Sequence, residues 1–101
     1  MERDFYTARV PAGVADLIPA YLQNRHKEVA ELRELLAAKS FDRIVELSER
    51  MIGVGTPYGF EHITNLARII RECALANDTT TLAHLIDDLA NYLRIVKIVV
   101  R

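Results

Sequence analysis

Three histidines, one cysteine and a few clustered carboxylates are the side chains of this sequence best suited to proton transfer, group transfer or metal binding. The histidines are His26, His62 and His84. An imidazole nitrogen can act as nucleophile, proton carrier or metal ligand. Here the three fall on three different helical segments, each beside an apolar stripe. No His-Glu-x-x-His pair occurs, and no spacing asks them to converge with a carboxylate. They read as partly exposed surface histidines, and no metal is expected. Cys73 is the single cysteine. It sits on an apolar stripe and reads as a small core residue; a lone cysteine excludes a disulfide scaffold and a cysteine-rich zinc site. Asp87 and Asp88 are adjacent on a helix and diverge by about 100°. They read as a solvated face, not a catalytic dyad. Glu46, Glu49 and Arg50 charge another helix. The segment GVGTPYG, from Gly53 to Gly59, lacks the Lys-Ser/Thr ending of a phosphate loop and the preceding strand of a dinucleotide site. No constellation supports an enzyme, and none asks for a cofactor.

The elements that position these residues follow from apolar spacing. From about Asp16, Ile18, Leu22, Arg25, Val29, Leu32 and Leu36 recur at steps of three and four, predicting a helix to about Lys39. Pro19 suits its first turn, where a missing N–H costs nothing. Ser40 reads as the next N-cap, its hydroxyl accepting from a free N–H, with Asp42 at the positive end of the dipole. The second helix carries Ile44, Leu47, Ser48 and Met51 inward and runs into Gly53. The glycine-rich segment then breaks the chain. A third helix from about Phe60 carries Ile63, Leu66, Ala67, Ile70, Cys73 and Ala74. Asp78 or Thr79 caps a fourth, with Leu82, Leu85, Ile86, Leu89, Leu93 and Val96. Residues 1–12 read as an extended arm or irregular lead. The final IVKIVVR is β-branched and is read as frayed, helical or a short extended tail. The expectation is a single all-α domain over residues 1–101, an antiparallel up-down-up-down four-helix bundle with a short N-terminal lead.

Composition agrees and excludes several classes. Half of the 101 residues are hydrophobic and 27% are charged, the balance of a globular chain. Lys plus Arg is 13 against 14 Asp plus Glu. No basic excess exists to neutralise a phosphate backbone, so nucleic acid is not an expected partner. No apolar run approaches the ~18 residues of a membrane span. The N-terminal MERDFYTARV has no apolar core and does not read as a signal peptide. The expected location is cytoplasmic, with no membrane partner.

The segment from Phe41 to Phe60, FDRIVELSERMIGVGTPYGF, resembles the histidine-containing phosphotransfer (HPt) domains of phosphorelays. In that family the second bundle helix carries a small residue, a phosphorylatable His, any residue, Leu or Met, Lys and Gly. A second Gly follows six residues later. Ser48 stands at the small position and Met51 at the Leu/Met position, while Gly53 and Gly59 match both glycines. Tyr58-Gly59-Phe60 and the lead-in Ala38-Lys39-Ser40-Phe41-Asp42 are also similar to members. The resemblance covers roughly residues 14–96.

Two departures matter. Glu49 occupies the phospho-His position and Ile52 the Lys position. An acyl phosphate on a carboxylate needs Mg²⁺ and a Lys in a closed acidic pocket, and an exposed helical Glu has neither. The resemblance therefore implies a degenerate HPt-like signalling module that binds a response-regulator receiver domain or a histidine kinase without passing phosphate. Val45, Glu49 and Ile52 share a face at i, i+4 and i+7. With Ser48 and Gly53 they form the expected docking face, Gly53 leaving room beside residue 49. Gly55, Tyr58 and Gly59 form the adjoining loop. Two alternatives remain open: a structural or oligomerisation bundle, including a homodimer through Val45 and Ile52, and phosphotransfer through another His such as His62.

Overall fold

Apolar side chains spaced by three and four residues become four helices, and the β-branched tail becomes a strand. The computed structural model describes residues 6–101, so residues 1–5 of the expected arm lie outside it. In chain order the elements are β1 (Thr7–Val10), a 3-10 turn (Ala12–Leu17), α1 (Ile18–Ala37), α2 (Phe41–Gly55), a second 3-10 turn (Thr56–Tyr58), α3 (Glu61–Leu75), α4 (Thr79–Ile95) and β2 (Lys97–Val100). The fold is an all-α four-helix bundle with a small two-stranded sheet. Each helix packs on its chain neighbours and α4 closes the ring on α1, with α2 and α3 the most intimate pair.

The buried positions follow the stripes. Ile44, Leu47, Ser48 and Met51 of α2 face Ile63, Leu66, Ala67 and Ile70 of α3 in the core. Leu32 of α1 and Leu82, Ile86 and Leu89 of α4 complete it. Burying side chains of this size contributes ~1.5–3 kcal/mol each before chain entropy is charged against it. The charged interruption in the α1 stripe, Arg25, is buried without being isolated. Its guanidinium pairs with the Glu28 carboxylate and lies 4.6 Å from the centre of the Tyr21 ring. Burial nevertheless pushes the Glu28 carboxyl above its ordinary range, opposed by the Arg25 charge.

The helix corners are tight. At the end of α1, Lys39 takes φ +54°, and the Ser40 N–H donates to the Leu35 carbonyl at 2.8 Å. At the end of α3, Asn77 takes the same φ, and the Asp78 N–H donates to the Cys73 carbonyl at 2.9 Å. Both are left-handed Schellman-type stops made without glycine. The first corner corrects the expected cap. Ser40 is the N-cap of α2, but its side chain makes no capping hydrogen bond. Its backbone is already held by Leu35, and its carbonyl accepts from Ile44 at 3.1 Å. Asp78 does cap α4: its carboxylate accepts from the Thr81 N–H at 3.1 Å.

The two ends of the chain, read separately from sequence, meet. β1 and β2 pair in parallel, with Thr7 opposite Lys97 and Val10 opposite Val100. Ala8 and Val10 turn inward and are buried, while every residue of β2 is exposed. Helix α2 also runs two residues past the expected stop at Gly53, to Gly55.

Candidate functional site

Helix α2 presents two faces. One is the core stripe already described. The other carries Val45, Glu49, Ile52 and Gly53, with Val45 and Ile52 half-buried against the core edge and Glu49 and Gly53 exposed. This division follows from the 3.6-residue turn, which sets positions 45, 49 and 52 on a line about a third of a turn from the stripe.

Beside this face lies α3, and the two helices bound an open groove of about 360 Å³. Its walls are Glu49 and Ile52 from α2 and Arg68, Arg71 and Glu72 from α3. The Arg71 guanidinium donates through Nε to Oε2 of Glu49 at 3.0 Å. The pair is not dry: the Glu49 side chain is 52% exposed and that of Arg71 is 35% exposed. A pair so wet contributes ~0–1 kcal/mol to stability. Its main effect is local, since it holds a carboxylate and a guanidinium at fixed positions beside an aliphatic wall.

The glycines divide by role. A Cβ on Gly53 would meet nothing within 4 Å, so its bareness is not required by packing. Gly55 is buried where α2 crosses α3; a Cβ there would collide with Oγ1 of Thr64 and lie 3.1 Å from the Phe60 carbonyl. Gly59 has φ +92°, and a Cβ there would collide with the backbone of Arg9 in β1. A left-handed residue pressed by a neighbouring backbone admits only glycine.

The expected docking residues therefore separate. Val45, Glu49, Ile52 and Gly53 share one accessible face. Ser48 does not: it is fully buried, and its hydroxyl donates to the Ile44 carbonyl at 2.7 Å. Its inward position on the core stripe removes it from any docking surface. Gly55 is likewise interior. Gly59 is half-buried beneath β1, and Tyr58 is half-buried with its ring 4.8 Å from that of Tyr21. Phe60 stacks on the same Tyr21 at 4.9 Å. The loop is thus an aromatic clamp that seats β1, not an open rim. The α3 arginines went unnoticed in sequence because residues 19 and 22 positions beyond Glu49 carry no periodic relation to it.

The other titratable candidates lie apart. His26 and His84 are exposed. His62 is half-buried, with its ring 4.8 Å from that of Tyr92 on α4. Cys73 is half-buried, and its thiol is pushed up by desolvation and by the Asp78 and Glu72 charges, which makes it a poor nucleophile. Among the described residues no three His, Cys, Asp or Glu side chains gather as a metal site, and no helix is long and apolar enough to cross a membrane.

Fold and site together define a four-helix bundle with an open, mixed-charge groove between its second and third helices. No protein-family model, curated protein or solved structure matches the chain.

Proposed function

We propose that this chain is an HPt-like docking module of a phosphorelay, binding a receiver domain or a histidine kinase through the α2 face without carrying phosphate. The observation that carries this reading is the placement of Glu49. It stands where the HPt resemblance puts the acceptor His, exposed, with half-buried Val45 and Ile52 on either side and bare Gly53 one turn on. The face has the form of a docking surface and lacks the nucleophile.

Arg71 answers an electrostatic objection. A bare carboxylate facing a receiver's acidic pocket would be repelled. Paired with Arg71 at 3.0 Å, Glu49 presents a neutral unit, and Arg68 and Glu72 on the same wall add one charge of each sign, so the groove carries no net negative charge toward that pocket. These α3 cations partly replace the one missing at Ile52.

The test is phosphoryl transfer from labelled receiver domains of the same genome onto three proteins. They are the wild type, Glu49→His and the double variant Glu49→His with Ile52→Lys. The expected result is no label on the wild type and label on the double variant. Label on the wild type would overturn the degenerate reading. Label on none of the three, together with unmoved amide resonances of Val45, Glu49 and Ile52 when receivers are added, would overturn docking.

A further inference from the structure

The sheet is open on one side. Among the described residues it has only β1 and β2, and β2 is an edge strand with all four residues exposed. The Lys97 N–H donates to Tyr6 and the Arg101 N–H to Val10, so the odd-numbered residues of β2 bond toward β1. By strand alternation, the N–H and C=O groups of Ile98 and Val100 point out from the free edge. The opposite edge, beyond β1, is closed by the loop at Gly59. Neither proline nor a bulge interrupts β2; its short length and Lys97 oppose indiscriminate pairing, so a partner strand must match its charge.

The side chains say what fits. Register places Ala8 with Ile98 and Val10 with Val100, so these point to the core side. Thr7, Arg9, Lys97 and Val99 share the outer face, and alternation adds Arg101 to it. Val99 is therefore ringed by three cations, Arg9, Lys97 and Arg101, and among the described residues no ion pair engages any of them. A second copy of this chain is a poor occupant. Antiparallel self-pairing in the register that engages both outward residues puts Ile98 opposite Val100 and Lys97 opposite Arg101 on both sides. Like charges directly opposite are destabilising.

We infer that the free edge of β2 accepts an extended acidic segment of a partner protein. That segment has apolar residues opposite Ile98, Val99 and Val100, and acidic residues four apart opposite Lys97 and Arg101. Main-chain bonds to Ile98 and Val100 supply affinity, and the cations supply selection and orientation. This surface is separate from the α2 face and stands whether or not that face docks a receiver.

The test titrates the ¹⁵N-labelled full chain with a blocked peptide containing Glu-Ile-Val-Val-Glu, and with the same peptide carrying Lys at both Glu positions. The acidic peptide is expected to move the amide resonances of Ile98 and Val100 most and to slow their hydrogen exchange. The basic peptide is expected to bind at least about tenfold more weakly. Lys97→Glu with Arg101→Glu inverts that preference. Val100→Pro abolishes binding while leaving the β1–β2 bonds intact, because the Val100 N–H faces outward. Equal response to both peptides, no response to either, or a concentration-dependent dimer lost in Val100→Pro would each overturn the assignment.

Discussion

Replacing Gly53 by Ala tests the α2 face and its structural freedom in one variant. Glycine inside a helix costs about 0.5–1 kcal/mol relative to alanine, mainly through the freedom of the unfolded chain. Gly53 lies two residues from the end of α2, so the lower value of ~0.5 kcal/mol applies. Nothing opposes this gain, because the added Cβ meets no atom within 4 Å. For a domain of about this size ~0.5 kcal/mol raises Tm by about 2–4 °C. The same methyl group would stand one turn from Glu49, on the surface a partner must approach. An intruding methyl at a packed contact costs ~1–3 kcal/mol, or about five- to 150-fold in affinity. Thermal melts followed by circular dichroism and titration calorimetry against receiver domains measure the two effects. A Tm that falls refutes the open position. A Tm that rises with unchanged affinity refutes the claim that a partner covers this face.

Four further outcomes are expected. Gly55→Ala, two residues on, loses ~1–3 kcal/mol, because its Cβ collides with Thr64 and crowds the Phe60 carbonyl; chemical denaturation measures it. Lys39→Gly gains ~0.5–1 kcal/mol by relieving a left-handed lysine, and its thermal melt should rise accordingly. Ser48→Ala changes stability by less than about 0.5 kcal/mol in urea unfolding, since the Ile44 carbonyl keeps its helical partner when the hydroxyl leaves. The Asp78 carboxyl is held below its ordinary range by its hydrogen bonds to Thr81. A depressed folded pKa gives stability that is present above the unfolded value near ~3.9 and is lost as pH falls through the folded one. Tm should therefore fall more steeply below about pH 4 in the wild type than in Asp78→Asn, whose cap does not titrate; parallel curves would contradict this.

The bundle was legible because helical periodicity is a local signal. Ile44, Leu47, Ser48 and Met51 announce their inward face within eight residues, and all four are buried. The strands were not legible as a pair. Val10 and Val100 lie 90 positions apart, and nothing in either segment specifies the other. Side-chain capping succeeded at Asp78 and failed at Ser40, where the preceding Schellman turn already fixes the backbone. At the groove, α2 contributed residues that a helical wheel can align. Arg68 and Arg71 came from the neighbouring helix, and only packing brings them beside Glu49. The glycines were visible, but their roles were not. Gly53 is free by its surroundings, Gly55 is forced by Thr64, and Gly59 is forced by a strand some fifty residues earlier.

The parallel pairing of β1 and β2 has a mechanical consequence. Tension applied at the two ends pulls β1 backward from Thr7 and β2 forward from Val100. In a parallel pair these directions slide the strands past each other, so the hydrogen bonds bear the load together instead of opening one by one from an end. The ribbon acts as a shear clamp in front of the bundle. If this chain tethers larger bodies at both ends, the four helices feel no pulling force until the clamp yields.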